Sequence, residues 1–379
     1  MSIIIFILVL LVLVLAHEAG HFFTAKSFGI RVDEFGFGFP PKLFGKKFGE
    51  TEYTINLLPL GGFVKIFGES MDEADFVEVG SLDKDVTPEK IELARRSMVN
   101  KPKWQQVLVL IAGIAANFLL AWLLFSFGFM SGLPTSVGSE ISGQKLSNIG
   151  LVVTSVRVAS PAEKAGLKIG DKITSVRVGE NYTTDVSPDT IISSVTGSAG
   201  GEIEIGYTRG KDAQISIAKV VPTVDPADGK EKIGISMDQI GTAKLPVFSA
   251  LWQGMRLNWL MTKNTVLGLY TLIKEGINGK GNLDSITGPV GMVGIVGDAY
   301  KFGFVYLMSF AALISINLAI INLLPFPALD GGRLLFLLIE KIKGSRINPK
   351  IANTVNAIGF YLLIALMLVI TYHDVIKLF

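Results

Sequence analysis

The sequence predicts a polytopic α-helical membrane protein with four transmembrane helices, a membrane-associated β-hairpin and one inserted α+β domain. Three observations carry that reading. Of 379 residues, 49% are hydrophobic and only 18% charged, where soluble chains carry about 25% charged residues. The apolar residues are gathered into long blocks, as bilayer-crossing segments are, rather than spread along periodic faces. Between the second and third blocks lies a stretch of short alternating segments bounded by turn residues, the pattern of a folded insert. A net charge of +2 from scattered Lys and Arg leaves no basic stripe, which excludes nucleic acid as a partner. With no cysteine, disulfides and thiolate metal sites are excluded as well.

A membrane helix needs about 20 apolar residues. The run Ile3–Ala16 is too short alone, and it lacks the basic leader and small-residue cleavage site of a signal peptide. It is therefore read as a retained span that continues through His17-Glu18-Ala19-Gly20-His21-Phe22-Phe23 to Ala25. That places a polar motif within the thickness of the bilayer, near one face. Further spans are expected at Val107–Met130, Val305–Leu324 and Val355–Tyr372. The chain then divides into a first membrane part (1–130), a Gly/Ser-rich linker (131–148), the insert (149–236), an amphipathic segment (237–304) and a second membrane part (305–379).

Short cytoplasmic loops are enriched in Lys and Arg. The link after the third span carries Arg333, Lys341, Lys343, Arg346 and Lys350, so it is expected on the cytoplasmic side. Both termini and the insert then lie outside. In the first loop, Tyr53–Ile66 reads as strand, Pro/Gly turn, strand, and residues 69–103 as a solvated, partly helical stretch. Within the insert, strands are expected at Leu151–Val158, Asp171–Val178, Glu202–Tyr207 and Gln214–Val220, with a short helix at Pro161–Ala165. Leu245–Glu275 has helical spacing with Trp252 and Trp259, suiting a helix on the membrane surface or one packed on the insert.

The chemistry is concentrated in His17-Glu18-Ala19-Gly20-His21. Spacing i, i+4 puts two imidazoles on one helix face about 6 Å apart, suited to one zinc ion. The Glu between them points beside the metal, where it can take a proton from water. Two of the chain's three histidines and a Glu sit at membrane depth, where each ionisable group costs about 2.5–3.5 kcal/mol to insert. A chance match would not carry that cost.

Such a zinc wants a third protein ligand. The candidate is Asp330 in Asn322-Leu-Leu-Pro325-Phe-Pro327-Ala-Leu-Asp330-Gly331-Gly332, where two prolines break a hydrophobic span. Asp330 also reads as an N-cap for the run Arg333–Glu340; the missing third ligand favours the metal role. Asn317 and Asn322 are candidate substrate-binding residues, with Asn322 near enough in sequence to reach the cavity, whereas Asn117 reads as a helix–helix hydrogen bond.

These motifs together resemble the site-2 protease family of intramembrane zinc metalloproteases, in the bacterial branch typified by the regulator of sigma-E protease. The resemblance rests on HEAGHF at His17–Phe22, LLPLGGFVKI at Leu57–Ile66, AGIAANFLLA at Ala112–Ala121, GPVG at Gly288–Gly291 and NLLPFPALDGGR at Asn322–Arg333. SPAEKAGLKIGDKI at Ser160–Ile173 resembles a PDZ domain, making the insert one PDZ domain. The resemblance implies one Zn2+ per chain, a bacterial inner (cytoplasmic) membrane location and cleavage within single-span membrane proteins of the anti-sigma factor or remnant signal peptide type. It also implies that the hairpin, with Ile55, Gly61 and Gly62, pairs with an unwound substrate strand, and that the PDZ domain either filters substrates by size or holds a peptide or protein ligand. Two other readings fit less well. A dead scaffold has no reason to keep His17, Glu18, His21 and Asp330, and a two-His-one-carboxylate iron site leaves Glu18 without a role.

Overall fold

The computed structural model describes residues 1–69, 88–138, 146–157, 159–210, 214–225, 229–279 and 287–376. In chain order the elements are α1 (Ser2–Ser27), β1 (Val32–Phe48), β2 (Thr51–Ile66), α2 (Pro88–Arg95), α3 (Lys103–Ser131), β3 (Leu133–Ser136), β4 (Ser147–Val156), α4 (Pro161–Lys164), β5 (Lys172–Val178) and β6 (Asn181–Thr183). They continue with α5 (Pro188–Gly197), β7 (Ile203–Thr208), β8 (Ser216–Val220), β9 (Thr223–Val224), β10 (Glu231–Lys232), β11 (Ile235–Ala243), α6 (Val247–Ile277), α7 (Pro289–Phe302), α8 (Phe304–Leu323), α9 (Asp330–Lys343) and α10 (Pro349–Ile376). The chain forms two compact units. One holds Met1–Leu124, Leu257–Gly297 and Phe310–Phe379; the other holds Phe125–Arg256 and Asp298–Ser309.

Among the described residues, α1, α3, α8 and α10 are long and apolar enough to cross a membrane, at the four places the sequence marks. α1 and α3 approach closely because Gly20 faces α3. A Cβ there would lie 2.3 Å from Ala112 O and 2.9 Å from Ala116 Cβ, so only Gly fits. Of the expected solvated stretch, 70–87 lies outside the described residues, and α2 is its helical part.

The hairpin differs from the sequence reading. Tyr53–Ile66 does reverse direction around Pro59–Gly61, but its two arms do not pair with each other; both belong to β2 and pair with β1. Phe37 has Gly62 as partner on one side and Ile55 on the other, and Phe35 likewise has Val64 and Tyr53. The first half of β1 therefore lies between the two halves of β2, and the second half of β1 pairs with Thr51–Asn56. The reason is packing: Val32, Val64 and Ile66 bury together against Phe22, Ala25 and Ile30, which a self-paired 53–66 hairpin would not allow. Gly62–Ile66 is left as an edge, with no further strand beside it among the described residues.

The second unit is built on one sheet in the order β3-β11-β4-β5-β7-β8, with β6 paired to β5. Its core is Leu151, Val153, Leu167, Ile173, Val176, Ile191, Ile203, Ile205 and Val220, with α4 and α5 packed on it. The expected strands and short helix appear close to their positions. The boundaries of the insert do not, because β3 and β11 carry the sheet outside 149–236: Leu133–Ser136 pairs with Ile240–Ala243. Residues 139–145 of the expected linker lie outside the described residues.

Candidate metal centre

α1 brings His17 and His21 onto one face, and both are buried. The third member comes from the break between α8 and α9. After Leu323 the helix stops at Pro325 and Pro327, Ala328 takes φ 73°, and the chain turns back onto the start of α9. A Cβ at Gly331 would lie 2.2 Å from Leu324 O, and one at Gly332 2.2 Å from Phe326 O. The Gly-Gly pair is thus what lets the turn fold so tightly, and it sets Asp330 as the first residue of α9. Leu329 occupies the N-cap position without a side-chain cap, so the Asp330 carboxylate is not spent capping the helix.

Three ligand atoms converge. His17 Nε2 lies 3.1 Å from His21 Nε2, and Asp330 Oδ2 lies 3.1 Å from His17 Nε2 and 3.3 Å from His21 Nε2. A tetrahedral zinc with bonds of about 2.0–2.1 Å sets its ligands about 3.3 Å apart, so the spacing fits that ion. Despite this closeness, Oδ2 is buried with no hydrogen-bond partner of acceptable geometry. Two imidazole nitrogens and a carboxylate oxygen gathered at one point could hold a metal ion. The far side of His21 agrees, since its Nδ1 lies 2.8 Å from Val109 O, which takes a proton there and leaves Nε2 for a ligand role.

The cluster opens into a cavity of about 530 Å³ lined by His17, Glu18, His21 and Asp330, by Gly62, Phe63, Val64 and Ile66 of the β2 edge, and by Phe360 and Tyr361 of α10. Arg333 and Glu69 form an ion pair in its wall. The edge strand passes so close to α1 that a Cβ at Gly62 would lie 2.7 Å from Val14 and 3.3 Å from the Glu18 side chain.

The remaining sequence candidates divide. Gly62 lines the cavity, and Asn322 reaches the cluster with Nδ2 3.5 Å from His17 Nε2. Asn317 does not, because its Oδ1 accepts from Thr265 Oγ1 of α6 at 3.2 Å. Ile55 does not either. It is held between Phe37 and Phe44 in the sheet and is not among the cavity residues; Gly61, next to Gly62, takes φ 123°. Sequence reasoning missed Gly113, whose Cβ position lies 2.2 Å from His21 Nε2. Asn117 makes a helix–helix contact as expected, but its partner was not foreseen: its Nδ2 lies 3.3 Å from His17 Nδ1. No sequence signal marked either contact, because α3 is apolar all round and shows no face of its own.

Comparison with known proteins points the same way. The model of peptidase family M50 matches residues 5–366. Zinc metalloprotease RasP of Geobacillus kaustophilus is 33% identical over 440 residues, covering 100% of this chain and 98% of that protein. The regulator of sigma-W protease RasP of Bacillus subtilis is 33% identical over 441 residues, covering 100% of this chain and 99% of that protein. Among solved structures, the PDZ domain of an SdrC-like protein from Listeria monocytogenes is 28% identical with a TM-score of 0.20, covering 25% of this chain and 93% of that one. The chain belongs to peptidase family M50, the site-2 proteases, and is a zinc metalloendopeptidase.

Proposed function

We propose that this peptidase hydrolyses peptide bonds within the membrane-crossing segments of single-span proteins, with His17, His21 and Asp330 holding zinc and Glu18 acting as general base. The observation that carries the reading is the convergence of Nε2, Nε2 and Oδ2 at 3.1–3.3 Å on a helix long and apolar enough to cross a membrane. Bound zinc supplies a Lewis acid and makes water in the site easier to deprotonate. Glu18 shares the cavity, where it takes the proton from the attacking water and passes it to the leaving amine.

A helical substrate shields its carbonyls, because each is already hydrogen-bonded. The edge Gly62–Ile66 answers this, since an unwound segment laid against it gains main-chain hydrogen bonds and runs past Glu18. Phe360 and Tyr361 give the cavity an apolar wall suited to such a segment. Substrates of the anti-sigma factor or remnant signal peptide type fit this reading.

The positive link around α9 supports a cytoplasmic placement of the catalytic end, with both termini and the insert on the outer side of a bacterial inner membrane. The insert is read as one PDZ domain whose groove between α5 and the strand Ile235–Met237, about 730 Å³, is open to a peptide. The test is zinc content and hydrolysis of a single-span model substrate in liposomes, with Glu18→Gln alongside. Zinc-loaded wild type that cleaves only soluble peptides would overturn the intramembrane reading.

A further inference from the structure

We propose that Asn117 is a positioning residue for the metal centre: its amide oxygen accepts the Nδ1–H of His17 and so holds the Nε2 lone pair on the zinc. The inference rests on the reading of His17 as a ligand and follows from the number of protons its ring can carry. A neutral imidazole has one ring proton and one lone pair. Nε2 of His17 lies 3.1 Å from both His21 Nε2 and Asp330 Oδ2, at the point where the ligand atoms meet, so the lone pair belongs there and the proton belongs on Nδ1. A proton on Nδ1 needs an acceptor. The group facing it is the Asn117 amide, with Nδ2 at 3.3 Å, and an amide nitrogen is a donor.

The same amide holds its Oδ1 buried with no hydrogen-bond partner. A half-turn of the amide exchanges oxygen for nitrogen at nearly the same shape. It replaces a donor facing a donor with an acceptor facing the Nδ1–H. His21 is already arranged this way, with Nδ1 2.8 Å from Val109 O, which can only accept. Both imidazoles therefore give their outer proton to α3, at positions two turns apart, with Gly113 between them pressed against the His21 ring. Asn117 is held firmly in place. It is fully buried, and its backbone oxygen accepts from Ser315 Oγ of α8 at 2.8 Å.

The test measures zinc affinity of the detergent-purified full chain by competition with a chromophoric chelator, together with the visible spectrum of the cobalt(II)-substituted protein. Asn117→Leu removes the acceptor at similar volume and is expected to weaken zinc binding about 10–100-fold, the usual cost of losing such a partner, and to alter the cobalt spectrum. Asn117→Asp restores an acceptor and is expected to bind at least as tightly as wild type. Ser315→Ala, which loosens the backbone of Asn117 but leaves its amide in place, is expected to bind as wild type does. Thermal denaturation of each variant separates a local effect from unfolding. Wild-type affinity and spectrum in Asn117→Leu would overturn the proposal, as would an Asn117→Asp protein as weak as Asn117→Leu, or a Ser315→Ala protein equally weak. His17→Ala separates the two levels. Its loss of zinc without any loss in Asn117→Leu refutes only the role of Asn117, whereas full zinc affinity in His17→Ala refutes the ligand reading itself.

Discussion

Gly113→Ala adds one methyl group at the tightest point of the centre. The new Cβ would lie 2.2 Å from His21 Nε2, 2.6 Å from Cε1 and 2.8 Å from Cδ2, whereas ordinary contact begins at 3.4 Å, so the ring must retreat by about 1 Å. Two contacts oppose the retreat. The Nδ1 of His21 is tied to Val109 O at 2.8 Å, and the ring meets His17 edge-on with centroids 4.7 Å apart. Backing α3 away instead would pull Val109 and Asn117 from both imidazoles. Overpacking of this kind costs about 1–3 kcal/mol. A displacement near 1 Å costs about 100-fold in rate when it misplaces reacting groups, and here it moves a metal ligand directly. Weaker zinc binding and near-complete loss of cleavage are expected, with the melting temperature lowered only modestly. Gly268→Ala on α6, with open space around its Cβ position, is the matched control and should leave zinc binding unchanged. Chelator competition and cleavage of a liposome-embedded substrate read both effects. A Gly113→Ala protein that binds zinc and cleaves as wild type does would refute the argument that His21 has no room to move.

Three further outcomes follow from the same geometry. Glu18→Gln should keep its zinc, measured by metal analysis, while cleavage falls by about 10²–10⁴-fold, the share usual for general base catalysis; near wild-type cleavage removes Glu18 from that role. Asp330→Asn replaces a charged ligand oxygen with a neutral amide and should weaken zinc binding, while the melting temperature shows little change, because Asp330 makes no cap hydrogen bond; full zinc occupancy with normal cleavage would deny it a ligand role. Neighbouring N–H groups of a strand point to opposite edges, so of Phe63→Pro and Val64→Pro one removes a donor from the free edge of β2. That variant should keep its zinc yet fail to cleave membrane substrates, and normal cleavage by both would show that the substrate is not held as an added strand.

Much of the fold was legible because its signals are local. Four apolar blocks gave four long helices, and the alternating strands and the Ser-Pro start of α4 marked most of the insert. What failed were the features set by partners far away in sequence. Pro59-Leu60-Gly61 reads as the turn of a hairpin, and the chain does reverse there, yet its two arms do not pair with each other, because β1 fits between the two halves of β2, with Val64 and Ile66 buried against α1. The sheet of the insert was undercounted for the same reason. β11 has a weak alternating pattern, and its end is held as a strand by pairing with β3, about 100 residues earlier in the chain.

The candidate site divides along the same line. His17, Glu18 and His21 could be read because one helical turn brings them together, and Asp330 because Pro and Gly mark a broken span. The support from α3 could not. A helix that is apolar all round carries no face in its sequence, so nothing distinguishes the stripe Val109, Gly113, Asn117 from its neighbours until α1 is laid against it. Once it is, each member of the stripe contributes something different. Val109 offers a carbonyl for the outer proton of His21, Gly113 leaves out a side chain where that ring passes, and Asn117 sets an amide beside His17. Gly20 completes the fit from the other side, since any side chain there would strike Ala112 O and hold the two helices apart. The two glycines and the asparagine, ordinary residues for a membrane span, thus let α3 close against α1 around the two histidines, whose Nε2 atoms lie 3.1 Å apart.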